Sequence, residues 1–184
     1  EELTDQTLLF DSSLKNTVDL VSEIIAKTCN INEESFEEVL PQIDSRILIT
    51  LNKFLANLDA NKASLRIVEN DKEFTINEES AHRGRVRTET TDIEEEMIPF
   101  EGLFVGFLPD HRKFEFQIDS GEILYGTATI EATDQYTSLL KKGIGVINEH
   151  WRVNLEVRTI KPLNRPERIV YKLKEFLKRL DSNA

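Results

Sequence analysis

The dominant spacing of apolar residues differs between the two halves of this chain, and that difference constrains the fold more than any single motif. Leu14, Val18, Val21 and Ile25 recur at helical intervals, and Ile43, Ile47, Leu51, Phe54 and Leu58 do so again. From Phe114 the rule is strict alternation. Phe114, Phe116 and Ile118 interleave with Lys113, Glu115, Gln117 and Asp119, and Trp151, Val153, Leu155 and Val157 interleave with Arg152, Asn154, Glu156 and Arg158. A chain that runs helical and then alternating reads as α+β with its two halves segregated in sequence.

The helical half is expected over residues 1–90. Residues 11–28 form an amphipathic helix. Asn32 caps a short second helix, with Ile31 and Phe36 placed as a hydrophobic staple. Pro41 ends that helix and opens the next, which runs to about Asn57. Ser64–Val68 and Phe74–Ile76 form a hairpin turning at Asn70-Asp71, and Asn77 caps a helix over Glu78–Arg87. Thr88–Glu96 is polar, acidic and aperiodic, so it reads as a linker.

The β half is expected over residues 97–184. Phe100–Leu108 is apolar on both parities and is interrupted by Gly102 and Gly106. Turns follow at Pro109–Arg112 and at Asp119–Gly121, where Gly121 suits positive φ. Ile123–Ile130 is a third strand. Asp134–Lys142 is a helix capped by Thr133 and ended by Gly143. Two more strands cover Trp151–Arg158 and Ile169–Leu173, and Phe176, Leu177 and Leu180 suggest a terminal helical turn. Five strands with a helix between the third and fourth imply a small antiparallel barrel, OB-like or SH3-like. Such barrels host many functions, so the fold assigns none.

Chemistry-bearing patterns are sparse. His82, His111 and His150 lack the paired spacing of metal ligands, so no metal site or cofactor is expected. No nucleophile elbow occurs, and Gly143-Ile144-Gly145 is too short for a phosphate fingerprint and follows a helix instead of opening one. The chain therefore reads as non-catalytic, with an enzyme that carries no recognisable motif as the last alternative, one that a pocket joining a carboxylate to His111 or His150 would favour. Cys29 is its sole cysteine, which rules out an internal disulfide and fits a reducing, cytoplasmic setting. The apolar runs are far too short for a membrane helix. The chain does not open on Met, so it is expected to belong to a longer one.

Charge narrows the partners. The net charge is −11, and residues 1–60 carry 4 basic and 12 acidic side chains. That half should repel nucleic acid and anionic lipid. Two surfaces remain as candidates. The surplus apolar face of Phe100–Leu108, carrying Leu103, Val105 and Phe107, marks a protein partner or a second copy of the chain. The basic segment Arg83, Arg85 and Arg87, with Arg152 and Arg158 on one strand, marks anion or nucleic-acid contacts as the alternative.

Overall fold

A computed structural model describes residues 5–69 and 72–180, with side chains over 14–68 and 73–180. The expected turn at Asn70-Asp71 lies outside these residues, as does the acidic stretch Glu1–Thr4. The chain divides between Asp92 and Ile93 into two compact units. The divide falls inside the segment expected to be a linker.

The first unit holds α1 (Asp5–Cys29), α2 (Glu33–Val39), α3 (Ser45–Ala60), a hairpin of β1 (Leu65–Glu69) and β2 (Lys72–Ile76), and α4 (Glu78–Glu89). Its caps follow local chemistry. The Asn32 side chain accepts from the Glu34 N–H at 3.1 Å, and Asn77 and Ser80 exchange reciprocal bonds at the start of α4. Pro41 does not open an α-helix. It sits in a 3-10 turn, Leu40–Gln42, and α3 starts after Asp44, whose carboxylate accepts from the Ile47 N–H at 2.7 Å. Phe36, Val39, Leu40, Ile43, Leu48, Leu51, Leu55 and Ile76 are buried. The stripe on α1 behaves unevenly. Ile24, Thr28 and Cys29 are buried, whereas Leu14, Val18 and Val21 on the same face are exposed.

The second unit holds β3 (Asp92–Leu108), β4 (Lys113–Ile118), β5 (Ile123–Ala128), α5 (Ile130–Lys141), β6 (His150–Lys161) and β7 (Arg168–Arg179). The sheet closes in the order β3-β4-β5-β7-β6. It is mixed, which corrects the all-antiparallel expectation: β5 and β7 pair parallel, over Gly126–Ala128 against Tyr171–Leu173. The acidic stretch at Glu94-Glu95-Glu96 opens β3 instead of linking the halves. Glu94 pairs with Lys161 at 2.6 Å and Glu95 with Arg158 at 2.9 Å, so its charges are held against β6. The C-terminal helical turn is also absent. Phe176 lies on β7 and packs at 5.1 Å from Phe104 and 5.5 Å from Trp151, ring centre to ring centre. Helix α5 starts earlier than its polar residues suggested, capped by Thr129, and Gly143 ends it at φ +72°.

One irregularity decides which residues face the core. Phe104 opposes Phe116, but Gly106 opposes Glu115, so Val105 is an extra residue in β3. The bulge reverses parity. Phe104 before it and Phe107 after it both enter the core, which removes Phe107 from the expected outer face. Leu103 and Val105 remain outside and half-buried.

Candidate functional site

The bulge also lies beside a cleft of this unit. On the outer face, two rungs cross three strands: Gly106, Glu115 and Tyr125, then Leu108, Lys113 and Thr127. Side chains from adjacent strands would ordinarily fill each rung. Gly106 supplies none, so a cleft of about 760 Å³ opens, lined by these six together with Phe107, Phe114, Gly126 and Ile147. That volume lies within the usual range for ligand pockets, about 300–1,000 Å³. Tyr125 is 62% exposed and Leu108 57%, so the rim presents apolar surface to solvent. Lys113 and Glu115 supply one positive and one negative group on the same face of β4.

The glycines differ in what they allow. A Cβ on Gly106 would meet nothing nearer than the Glu115 side chain at 3.7 Å, so the hollow has room for one. A Cβ on Gly126 would lie 2.2 Å from the Tyr171 carbonyl oxygen. Gly126 is therefore required by the parallel seam.

The arginines expected to meet anions are engaged within the protein. Arg83 Nε and Nη2 donate to the Cys29 carbonyl at 3.2 and 3.1 Å, and its Nε also reaches Asn30 O at 3.1 Å. Arg87 Nη1 donates to Thr28 O at 2.9 Å and to Asn30 O, and its Nη2 reaches Ile31 O at 3.4 Å. Both guanidinium groups thus cap the carbonyl end of α1, where unpaired C=O groups and the helix dipole favour cations. Arg85 pairs with Asp59 at 2.7 Å and with Glu89. Arg158 is buried between Glu95 at 2.9 Å and Glu156 at 2.7 Å. Burial pushes the Glu156 carboxyl up, but Lys174 and Arg158 outweigh it and hold the group below the usual carboxylate range. Arg152 alone remains at the surface, 3.7 Å from Glu101. Sequence spacing placed these residues correctly on α4 and β6. It could not show the partners that stand far away in the chain, the carbonyls of Thr28, Cys29 and Asn30 and the carboxylates of Asp59 and Glu95.

Cys29 is buried, and burial pushes its thiol up to about 11 against the opposing pull of Arg83 and Arg87. Burial, and not the acidity of its half of the chain, is what disfavours the thiolate; the charges that act on it are those of the two arginines, which favour it. His82 bonds Asp59 at 3.1 Å, and among the described residues no three metal-ligating side chains gather. No described helix is long and apolar enough to cross a membrane. Sequence reasoning missed Tyr125 and Gly106 as partners in one cleft. The only available sign was Gly106 itself, inside an otherwise apolar strand. Comparison with known proteins finds no matching family model and no matching curated protein.

Proposed function

We propose that the chain is a non-catalytic protein-interaction module, and that its closed sheet is an OB-type barrel presenting the β3–β4–β5 face to an extended segment of a partner protein. In chain order the barrel strands run first, second, third, fifth, fourth, with a parallel pair between third and fifth and a helix after the third. This arrangement supports the OB-type reading over the SH3-like one, and the second and third strands are where OB-type barrels bind ligands. The observation that carries the reading is the Gly106 hollow beside exposed Tyr125 and Leu108. A bulky apolar side chain fits the hollow, and Lys113 and Glu115 meet backbone or polar groups on either side of it.

A protein segment is favoured over a polyanion because four of the five arginines expected to hold phosphate, Arg83, Arg85, Arg87 and Arg158, are used internally. Residues 99–165 also carry 8 basic and 9 acidic side chains, which gives no positive groove. The test is selection of displayed peptides on the purified chain, followed by amide chemical-shift mapping. Selected peptides are expected to perturb residues 106–108, 113–115 and 125–127. Gly106→Leu, which fills the hollow where a Cβ already fits, is expected to weaken them at least roughly tenfold. Salt-dependent binding of short single-stranded oligonucleotides to the same face, with no peptide enriched, overturns the reading in favour of nucleic acid.

A further inference from the structure

Lys113 and Glu115 differ from most charged side chains on the outside of the closed sheet. Glu94, Glu95 and Glu101 on β3 meet Lys161, Arg158 and Arg152, and Glu156 on β6 meets Arg158 and Lys174. On β4, neither Lys113 nor Glu115 takes an ion pair or a side-chain hydrogen bond among the described residues. Both are exposed and share one face, two residues and so about 7 Å apart. Each belongs to a different rung of the cleft. Glu115 opposes Gly106, and its Cβ stands 3.8 Å from where a Cβ on that glycine would lie, so its stem walls the hollow. Lys113 opposes Leu108, one rung on. Lys172, the next base along that rung, lies opposite Glu156 and acts on Glu131, so its charge is already offset. The cleft floor is thus negative beside the hollow and positive one rung away.

An apolar side chain seated in the hollow strips water from both charges, because both line the cleft. A segment without counter-charges leaves them poorly solvated. A wholly acidic segment meets repulsion at Glu115, and a wholly basic one meets it at Lys113. We infer that Lys113 and Glu115 select the occupant of the peptide-binding cleft proposed above, a reading on which this rests. The occupant is a partner segment whose bulky apolar residue is flanked by one acidic side chain, for Lys113, and one basic side chain, for Glu115. Both contacts are exposed, so the discrimination is modest and salt weakens it.

The test presents to the whole chain, at low salt, a library of displayed peptides with a fixed central Phe and Glu, Lys or Gln at each flanking position. The wild type is expected to enrich peptides carrying both an acid and a base. Lys113→Glu should enrich purely basic flanks, and Glu115→Lys purely acidic ones. Exchanging the two residues restores the net charge and should again enrich mixed flanks. Lys178→Glu and Glu167→Lys, at exposed charges outside the cleft, shift the net charge by the same amounts and should leave the preference unchanged. Anisotropy titration of one mixed, one basic and one acidic peptide should show a roughly threefold to tenfold preference for matched charges, shrinking as salt rises. Gly106→Leu should remove enrichment in every background, which locates binding in the cleft. Enrichment that Gly106→Leu removes but neither reversal alters overturns the charge selection and leaves the cleft reading standing. So does an equal shift from Lys178→Glu or Glu167→Lys, because net charge alone then sets the preference. No enrichment, or enrichment that Gly106→Leu leaves intact, overturns the cleft reading and the charge selection with it.

Discussion

Replacing Arg87 by Met tests whether the basic segment of α4 caps α1 or awaits an anion. Met keeps the apolar stem but removes the guanidinium that reaches Thr28 O at 2.9 Å, Asn30 O, and Ile31 O at 3.4 Å. A hydrogen bond involving a charged group contributes about 1.5–3 kcal/mol net, and leaving a buried acceptor unmet costs the desolvation as well. Thr28 is fully buried. The contact to Ile31 is long, and Asn30 O keeps its bond from Arg83. One lost strong bond therefore sets the scale, and the expected destabilisation of Arg87→Met is about 2–3 kcal/mol. Arg87→Lys retains a cation near the helix end, a term of about 0.3–1 kcal/mol, but one ammonium cannot replace the fork. It should fall between wild type and Met. Urea unfolding followed by helical circular dichroism reads the effect, and at an m-value of about 1–3 kcal/mol per molar the midpoint should drop by roughly 0.7–3 M. An unchanged midpoint in Arg87→Met, with reduced retention on an anionic matrix, would refute the capping argument.

Other outcomes follow from the same geometry. Gly126→Ala should destabilise the closed sheet by about 1–3 kcal/mol or more, since its Cβ would lie 2.2 Å from Tyr171 O; Gly106→Ala should stay within about 1 kcal/mol, and a reversed order in denaturant titration would contradict the seam. Leu155→Ala, at a fully buried position, should cost about 2–5 kcal/mol by Trp151 fluorescence. Thiol reagent at mildly alkaline pH should label Cys29 far more slowly in the folded chain than in denaturant, because burial pushes the thiol to about 11; equal rates would show that the site opens readily. Arg85 and His82 hold Asp59 below the ordinary carboxylate range, so its contribution is present above the unfolded-state value and is lost as pH falls through the folded one. Asp59→Asn should therefore flatten the acid limb of the stability profile, measured by denaturant titration at several pH values.

Much of the secondary structure was legible because its signals are local. Asn32, Asn77 and Gly143 cap through neighbours within a few residues, and the alternation that starts at Trp151 holds in β6 as far as Leu155. What escaped depends on residues distant in sequence. The bulge at Val105 is set by its pairing with β4, so parity alone sent Phe107 outward. Glu94-Glu95-Glu96 resembled a linker because Lys161 and Arg158 stand far along the chain. The final strand reads short in sequence because Phe176 and Leu177 break alternation. Its ladder with β6 shifts register there, and the Gln135 side chain closes the gap, accepting from Phe176 N at 2.8 Å and donating to Phe176 O at 2.6 Å. The cleft was invisible for a related reason: a missing side chain leaves a hollow only once both neighbouring strands are in place.

The parallel pairing of Gly126–Ala128 with Tyr171–Leu173 has a kinetic meaning. It joins segments separated by all of α5 and β6, and it is only three pairs long, extended by the Thr129 N–H bond to Leu173 O at 3.0 Å. Chain entropy weighs against so short and so distant a closure. Amide hydrogens along these three pairs should exchange through partial openings well below the free energy of global unfolding. Gly126 also lines the cleft, so a molecule seated there would report on whether the ring of strands is shut.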